Sequence, residues 1–472
     1  MTSAPILYEK LSFTKEKFFQ GYLQGTKEKD RHVLLESGRT GKYSIAGMVP
    51  FAVFQASGDE VMLEQEGKRT VWSGKPLVEL EKWMEKFSFS PILNLPDFQG
   101  GAVGYISYDY AWSIEKLPNI ADNDLQLPEI YFQVFDEWAV FDHEEKCLWI
   151  MVLNRNAAKE RLALAKKKWL AVSIENSEKS PVLKESNRVS EISFTEEEFV
   201  TAVEKIQAYI AEGDVFQVNL TVRQSKELSI PSIDVYKELR RLNPSPYMGY
   251  LHTPEFQIIS GSPELLIKKA GDIVSTRPIA GTRPRGINDE EDQRLANELI
   301  GNEKEQAEHI MLVDLERNDL GKVCAYGSVK VDELMTVEKY SHVMHIVSHV
   351  SGRLAEEKSA YDLIEAVFPG GTITGAPKVR TLEIIEELEP VKRGVYTGSL
   401  GWIGFNEDLH LNIVIRTMLV KEGICHVQAG AGIVIDSDPK AEYEESLRKA
   451  HALWKAKEVA ESKVEKHDFN DR

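Results

Sequence analysis

Two pairs of glutamates carry the clearest chemical signal in this chain of 472 residues. Glu305 and Glu308 lie on one predicted helix and Glu442 and Glu445 on another, and the i, i+3 spacing places each pair on one helix face. If the two faces meet, four carboxylates supply the oxygen ligands that a hard cation such as Mg²⁺ needs. Lys449, one turn after Glu445, shares that face and could hold an anion. An ordinary solvated surface is the alternative that the spacing leaves open.

Two glycine-rich segments predict turns at which an anion could reach backbone N–H groups. They are residues 369–378, with the sequence PGGTITGAPK, and residues 428–432, with the sequence QAGAG. The first is not a Walker A loop, because Ala376 stands where that loop needs lysine. The second lacks the third glycine and the following helix of a dinucleotide-binding fingerprint. For each segment, an ordinary turn without a ligand remains the alternative.

His345 is a further polar candidate. In a helix, His342, His345 and His349 would share a face and suggest a metal site, but the β-branched residues between them favour a strand. A strand places His345 and His349 on one face and His342 on the other. A histidine that is simply satisfied within the core is the alternative reading of His345.

The elements that must position these residues divide the chain into two lobes. A polar stretch at 176–192, broken by Pro181, predicts a linker between an N-terminal lobe at 1–175 and a catalytic domain at 193–464, followed by a polar tail at 465–472. The second lobe is predicted to begin with a helix, capped by Thr195 and Glu198 and ended by Gly213. Strand-like runs occur at 130–135, 148–153, 256–259, 342–350, 398–403, 409–420 and 425–427.

These strands do not alternate regularly with helices, so a parallel βαβ fold is not indicated. We expect an α+β fold, in which a large, mainly antiparallel sheet system is flanked by helices and the two lobes are intertwined.

Composition restricts the partners and the compartment. The chain has 57 basic and 75 acidic residues, a net charge of −18 and no basic stripe, which argues against nucleic acid. No apolar stretch approaches the roughly 18 residues of a membrane span, and no signal peptide is evident, so we expect a cytoplasmic protein. Cys147, Cys324 and Cys425 lack the glycine pair of a nucleophile elbow, so the chain is not expected to hydrolyse glutamine itself.

Seven segments, taken in this order, resemble the chorismate-utilising enzymes, specifically the large subunits of aminodeoxychorismate synthase and anthranilate synthase. They are residues 34–37, 243–248, 261–264, 277–282, 308–319, 371–378 and 430–445. The resemblance covers nearly the whole chain and implies chorismate as substrate, Mg²⁺ as cofactor and the α+β architecture of that family.

By position, the resemblance implies that Glu308 and Glu445 bind Mg²⁺ directly, with Glu305 and Glu442 acting through water. The residues expected to hold the chorismate carboxylates are Tyr396, Arg416 and Lys449, together with the backbone at Gly371, Thr372, Gly430 and Gly432. Arginine suits this role because its planar fork matches a carboxylate.

The resemblance also implies catalytic roles, for which Glu264, His345, Gln217 and Thr372 are the candidates. Glu264 matches the general acid that protonates the departing C4 hydroxyl, so its pKa should be raised. His345 matches a position linked to later elimination. Gln217 stands where isochorismate and salicylate synthases have a lysine base, and since an amide cannot deprotonate water, ammonia is the expected nucleophile.

The two amine-forming branches of the family give mixed signals. Ala280 stands where many aminodeoxychorismate synthases have a lysine that attacks ring C2, so direct attack of ammonia at C2 is expected, as in anthranilate synthases. Ser399, in contrast, resembles the residue found at this position in aminodeoxychorismate synthases, and the sequence as a whole also resembles that branch most. We expect that branch, serving 4-aminobenzoate and folate biosynthesis, with anthranilate synthase as the alternative and a separate glutamine amidotransferase subunit (component II) as the source of ammonia.

A second group of residues resembles the tryptophan pocket of feedback-inhibited anthranilate synthases. Its members are Leu35, Glu36, Ser37, Tyr43, Ser44, Asn243, Pro244, Tyr247 and Met248. Because some aminodeoxychorismate synthases bind tryptophan only as a structural element, the resemblance leaves regulation open. The alternative is that these residues merely pack the interface between the lobes.

Overall fold

The computed structural model describes residues 5–38, 41–174, 190–340 and 343–470, with side chains as far as residue 464. The predicted linker therefore lies outside the described residues except for 190–192, which form a strand. His342 also lies outside them. The predicted polar tail has a helical backbone as far as Asn470.

The N-terminal lobe and the segment that follows it contain eleven described strands and four helices. In chain order the strands are β1 Ile6–Ser12, β2 His32–Glu36, β3 Tyr43–Gly47, β4 Ala52–Ser57, β5 Glu60–Gln65, β6 Lys68–Ser73, β7 Gly101–Ile106, β8 Ile130–Phe135, β9 Glu137–Asp142, β10 Cys147–Leu153 and β11 Ser190–Ile192. The helices are α1 Lys15–Thr26, α2 Pro76–Met84, α3 Ala111–Ile114 and α4 Ala158–Leu170.

The rest of the described chain adds thirteen strands and seven helices. The strands are β12 Gln217–Glu227, β13 Tyr247–His252, β14 Phe256–Ser262, β15 Leu265–Ala270, β16 Ile273–Arg277, β17 Ile279–Pro284, β18 Lys330–Lys339, β19 Val343–Arg353, β20 Gly375–Ala376, β21 Ser399–Gly404, β22 Leu409–Asn412, β23 Thr417–Lys421 and β24 Ile424–Ile433. The helices are α5 Glu196–Glu212, α6 Ser232–Leu242, α7 Asp289–Gly301, α8 Glu303–Gly321, α9 Ala360–Val367, α10 Lys378–Leu388 and α11 Pro439–Asn470.

Two antiparallel sheets organise these strands. The first has the order β1-β10-β9-β3-β2-β13-β14-β23-β24-β12-β11, with β20 also pairing with β12. The second has the order β17-β19-β16-β15-β22-β21-β7-β8-β4-β5-β6, with β18 also pairing with β19. The lobes meet within both sheets, where β2 pairs with β13 and β7 pairs with β21. The predicted α+β fold with intertwined lobes is therefore confirmed.

The hydrophobic core joins the two sheets. Its largest cluster includes Val33 and Ile258 from the first sheet and Phe54, Tyr105 and Leu411 from the second. β8 and β10 are buried along their entire length, as expected for strands that are covered on both faces. Among the described residues, none of the helices combines the length and apolar character needed to cross a membrane.

The predicted helix at the start of the second lobe is confirmed in detail. In α5, the Glu198 amide donates to Thr195 Oγ1 at 3.3 Å, and the Thr195 amide donates to Glu198 Oε2 at 2.9 Å. Gly213 ends the helix with φ +86°, a left-handed conformation that glycine adopts without strain. Capping is a local property, which is why the sequence pattern was sufficient here.

Two local predictions were wrong. Residues 409–420 were expected to form one strand, but β22 belongs to the second sheet and β23 to the first, and Arg416 in the connection has φ +49°. Strand propensity along a segment does not reveal a change of sheet. Residues 428–432 were expected to form a turn but lie in β24, where a Cβ on Gly432 would be 2.2 Å from Gln217 Nε2. Glycine is required at this position of the strand because the Gln217 side chain approaches the backbone closely.

Candidate active site

Two of the connections that cross between the sheets lie side by side. One crossing lies between β14 and β15 and contains Glu264, and the other lies between β22 and β23 and contains Arg416. The Ile413 amide donates to the Glu264 carbonyl at 3.0 Å, and Ser262 Oγ donates to the Ile413 carbonyl at 2.5 Å. These bonds tie the two crossings together.

A cavity of about 730 Å³ opens beside the crossings. Its walls come from both sheets and from α8 and α11. The predicted residues that line it are Gln217, Glu264, Glu305, Glu308, His345, Thr372, Tyr396, Arg416, Gly430, Gly432, Glu442, Glu445 and Lys449. The structure thus brings together residues that are more than 200 positions apart.

Gly371 is the one predicted substrate-binding residue that does not line the cavity. It begins the short 3₁₀ helix Gly371–Ile373, and a Cβ at this position would lie 2.0 Å from the Leu315 side chain. Close packing against α8 accounts for this glycine, while its neighbour Thr372 reaches the cavity.

The four glutamates face the cavity from α8 and α11, and each has a polar partner. Glu305 Oε1 accepts from Arg283 at 2.7 Å, and Glu308 Oε1 accepts from Gln217 Nε2 at 3.2 Å. Ser437 Oγ donates to Glu442 at 2.8 Å, and Lys449 Nζ lies 2.9 Å from Glu445. Burial raises the pKa of Glu442, and the negative charge of Glu445 adds to the effect.

These carboxylates suit a hard divalent cation in donor type and charge. Within the described residues, no three Asp, Glu, His or Cys side chains are already gathered as a metal-ligand group. Each carboxylate has two oxygens, however, so it can keep one of its present contacts and offer another lone pair to a cation. The donor set therefore fits Mg²⁺ in its chemistry, and the role of each glutamate as a ligand stays a prediction.

Glu264 combines deep burial with an incomplete set of hydrogen bonds. Its Oε1 has no hydrogen-bond partner among the described residues. Burial raises the pKa of Glu264 to about 7, and the Thr372 hydroxyl, the Ile279 amide and the positive charge of Arg416 offset part of this rise. A carboxyl with such a pKa is still substantially protonated near pH 7 and can act as a general acid.

Arg416 provides positive charge without a salt-bridge partner among the described residues, although Glu264 interacts with it at longer range. Burial lowers the pKa of its guanidinium, and in the part of the chain that the structure describes no carboxylate lies within ion-pair distance of it. A desolvated cation of this kind attracts an anionic ligand, and its planar fork matches a carboxylate. Lys449 is another cation of the wall and donates to the Gly430 carbonyl at 3.0 Å.

Burial favours the neutral form of the His345 ring. Its Nδ1 lies 3.0 Å from the Gly281 carbonyl and 3.1 Å from Thr282 Oγ1, and burial lowers its pKa. Because a carbonyl can only accept, the proton resides on Nδ1 and Nε2 keeps its lone pair. The ring can therefore take up a proton at Nε2.

The sequence reasoning missed several lining residues, among them Asn219, Arg283 and Gln428. Asn219 lies two positions after Gln217 on β12, so the two-residue period of a strand would have placed it on the same face. Arg283 follows an irregularity in β17 between Ala280 and Arg283, so strand periodicity gives no such indication for it. The turn predicted at 428–432 gives no indication of where the Gln428 side chain lies, because the residue is in β24.

The predicted tryptophan-pocket residues lie elsewhere, where β2, β3 and β13 join the lobes. Glu36 pairs with Ser44 on β3 and with Met248 on β13. Its carboxylate accepts from Arg240 Nε at 2.6 Å and Nη2 at 2.9 Å. The strand pairing and the ion pair show that Glu36 has a structural role at the lobe junction, while tryptophan binding stays a prediction.

Comparison with known proteins agrees with the resemblance noted in the sequence. The profile of the family described as chorismate binding enzyme matches residues 31–455. The chain is 52% identical over 462 residues to aminodeoxychorismate synthase component 1 of Bacillus subtilis (strain 168), covering 97% of this chain and 98% of that relative. It is 43% identical over 445 residues to anthranilate synthase component 1 of Acetivibrio thermocellus, covering 90% of each.

A solved structure agrees with both matches. The crystal structure of anthranilate synthase component I from Streptococcus pneumoniae TIGR4 superposes with a TM-score of 0.79 and 35% identity, covering 88% of this chain and 92% of that one. The similarity therefore extends through both lobes and includes the strands and helices that form the cavity. On this evidence the chain belongs to the chorismate binding enzyme family.

Proposed function

We propose that this chain is the chorismate-aminating component of an aminodeoxychorismate synthase, which forms 4-amino-4-deoxychorismate for 4-aminobenzoate and folate biosynthesis. One observation carries the proposal: a single cavity contains the buried Glu264 carboxyl and the Arg416 guanidinium, which has no ion-pair partner among the described residues. The 52% identity to the Bacillus subtilis synthase component supports this branch of the family.

Binding of chorismate would rest on the cations of the cavity. Chorismate carries two carboxylates, and Arg416 and Lys449 both line the cavity. The Arg416 guanidinium would bind one carboxylate through two hydrogen bonds. Tyr396 and the backbone at Thr372, Gly430 and Gly432 would provide the remaining polar contacts.

Magnesium is part of the proposal as the second means of holding the substrate. Glu308 and Glu445 would bind it directly, with Glu305 and Glu442 acting through water. When bound, Mg²⁺ would neutralise and orient the ring carboxylate of chorismate.

Glu264 would supply the proton in the first chemical step. Its proton passes to the C4 hydroxyl, which leaves as water while ammonia bonds to ring C2 and the ring double bonds shift. Since ammonia already has a lone pair, the step needs no base, which is consistent with an amide at Gln217.

Formation of the 4-amino product requires a second displacement. With Ala280 in the cavity wall, no lysine at that position is available for a covalent intermediate. A second ammonia would bond to C4 and release the first from C2, so the sum is chorismate plus ammonia giving 4-amino-4-deoxychorismate plus water. A transient 2-amino species is the expected mark of this route.

Anthranilate synthase is the second candidate, and the neutral His345 favours it. The Nε2 lone pair of His345 could accept the C2 proton of the 2-amino species while the enolpyruvyl group leaves as pyruvate, which gives anthranilate. Ala280 is compatible with this outcome as well. The two candidates differ in the fate of one shared intermediate.

Identification of the product separates the candidates. The purified chain would be incubated with chorismate, Mg²⁺ and ammonium, with and without aminodeoxychorismate lyase, and the products analysed by mass spectrometry and fluorescence. We expect 4-aminobenzoate only when the lyase is present. Anthranilate formed without the lyase would assign the chain to tryptophan biosynthesis instead.

A separate glutamine amidotransferase subunit would supply the ammonia. The chain alone is expected to turn over chorismate with ammonium salts but not with glutamine, because none of its three cysteines has the sequence setting of a glutaminase nucleophile. Robust glutamine-dependent turnover by the chain alone would contradict this part of the proposal.

A further inference from the structure

A buried ion pair lies behind the wall of the cavity. Arg393 is 2% exposed and Glu389 is 4% exposed, and neither lines the cavity. Arg393 Nε donates to Glu389 Oε2 at 2.9 Å and its Nη2 donates to Oε1 at 2.7 Å. The Tyr108 ring covers the guanidinium, with its centroid 4.7 Å from Arg393 Cζ.

The remaining donors of Arg393 reach three separate segments of chain. Nη2 donates to the Asn219 carbonyl at 2.7 Å, and Nη1 donates to the Ile373 carbonyl at 3.0 Å and to Thr397 Oγ1 at 3.3 Å. Together with the two bonds to Glu389, these bonds use all five N–H groups of the guanidinium. Each segment contains or adjoins a residue that lines the cavity: Asn219, Ile373 and Tyr396.

Glu389 extends the network to a fourth lining residue. Its Oε1 accepts from the Thr221 amide at 2.9 Å and from Thr221 Oγ1 at 2.8 Å. The same Thr221 hydroxyl accepts from Gln428 Nε2 at 2.7 Å. Gln428 lines the cavity from β24, so the ion pair is connected to both β12 and β24.

A role in stability alone explains this arrangement poorly. The cost of desolvating two charges roughly cancels the attraction of a buried pair, and apolar residues of similar volume often do as well. What apolar residues cannot do is direct three hydrogen bonds to fixed points on three segments while the partner carboxylate holds the guanidinium through two more. Such fixed geometry matters most where a reacting group must be held to within a fraction of an ångström.

We propose that Arg393 and Glu389 are positioning residues of the active site, which hold the cavity wall at Asn219, Ile373, Tyr396 and Gln428 in the arrangement that catalysis needs. The catalytic part of this inference rests on the proposed function. The structural part, that the pair keeps these wall segments ordered, does not depend on which reaction is catalysed.

Two variants test the proposal, one that removes several hydrogen bonds of the network and one that removes a single hydroxyl. Arg393→Lys keeps the charge but supplies three donors in place of five, so at least two of the present acceptors lose their bonds. Thr221→Val is nearly isosteric and removes only the hydroxyl that joins Glu389 to Gln428. Thr221→Ser keeps that hydroxyl and serves as the rescue. Arg380→Lys, on α10 in the half-exposed pairs with Asp214 and Glu383, is the control for changing an arginine nearby.

Two measurements would be made on each variant of the full chain. Steady-state kinetics with chorismate, Mg²⁺ and ammonium give kcat and KM, and hydrogen–deuterium exchange gives the protection of the segments around 217–221, 371–376 and 395–398. We expect Arg393→Lys to lower kcat about 100-fold, an effect that a displacement of about 1 Å can produce, with a smaller change in KM. Thr221→Val should act in the same direction, and Thr221→Ser and Arg380→Lys should resemble the wild type.

Exchange should rise in the three wall segments and stay unchanged in the distant strands β4 and β5. The proposal is overturned if folded Arg393→Lys and Thr221→Val keep the wild-type kcat, or if exchange rises uniformly along the chain. If the wild-type chain does not turn over chorismate, the proposed function fails, and the local exchange pattern alone then supports or overturns the positioning of the wall.

Discussion

Gln217 Nε2 donates to Glu308 Oε1 across 3.2 Å, and this bond connects β12 to α8 in the wall of the cavity. The bond is possible because residue 432, beside it on β24, is glycine. The other amide atom, Gln217 Oε1, is buried without a hydrogen-bond partner among the described residues. An amide at this point can accept from an N–H group of the nucleophile while it orients a carboxylate.

Gln217→Lys should reduce amination of chorismate and raise the Mg²⁺ concentration needed for activity. A lysine ammonium would form an ion pair with Glu308 in competition with the metal, and a deprotonated lysine could activate water instead. Product analysis over an Mg²⁺ titration would measure both effects, including any hydroxylated product. Gln217→Met separates loss of the amide from gain of the amine. Amination by Gln217→Lys at the wild-type rate would contradict the assigned role.

The activity should depend on pH through Glu264. Because its pKa lies at about 7, the carboxyl is protonated below that pH and increasingly ionised above it. An acid catalyst must be protonated, so kcat/KM for chorismate, measured at a constant concentration of free ammonia, should fall about tenfold per pH unit above the pKa. A profile that stays flat through the alkaline range would show that Glu264 does not donate the proton.

Glu445→Gln should abolish turnover and Mg²⁺-dependent chorismate binding while the thermal unfolding temperature stays near the wild-type value. The change removes a negative charge from the cavity wall but keeps the size of the side chain. Glu444→Gln is the matched control, since Glu444 is the neighbouring residue on α11 and its side chain is 70% exposed. Titration calorimetry with and without Mg²⁺ gives the binding. Equal behaviour of the two variants would remove Glu445 from the metal site.

Glu36→Ala should destabilise the fold by about 3 kcal/mol, because it leaves Arg240 and Tyr236 at the lobe junction without their acceptor. Glu144→Ala, which removes a carboxylate that is 70% exposed and 3.6 Å from Lys42, should cost less than about 1 kcal/mol. Urea unfolding measures both free energies. If the two variants unfold at the same urea concentration, the Glu36 ion pair does not hold the lobes together.

Glu316 should make the stability of the fold decrease from mildly acidic to mildly alkaline pH. Burial raises the pKa of Glu316 to about 8, from 4.5 in the unfolded chain, and the negative charge of Asp319 contributes. The folded state therefore holds this proton more tightly, so its contribution to stability is complete below about pH 4.5 and is lost as the pH rises through about 8. Glu316→Gln has no proton to lose, so its free energy of unfolding relative to that of the wild type should rise over that pH range. Urea unfolding at several pH values measures this difference. If the two free energies change in parallel with pH, the raised pKa of Glu316 is contradicted.

The local features of this protein follow from short-range patterns in its sequence. The capping box of Thr195 and Glu198 involves residues three positions apart, and the glutamate pairs on α8 and α11 lie on one face because of helical periodicity. Hydrogen bonds and side-chain spacing within one turn depend only on neighbouring residues. The mainly antiparallel fold could also be predicted, because regular alternation of strands and helices was absent.

The assembly of the site was decided by long-range packing. Gln217 and Glu308 are 91 residues apart, and nothing in either segment specifies their contact. Glu264 and Arg416 lie together because two connections cross between the sheets side by side, a feature that the strand-like run at 409–420 does not reveal. The candidate residues could be identified from the resemblance to a family. Their burial, their partners and the Arg393 network behind them arise only when β12, β24 and both crossings pack together. Desolvation, which raises the pKa of Glu264, is a property of that packing and not of the residue or its neighbours in the chain.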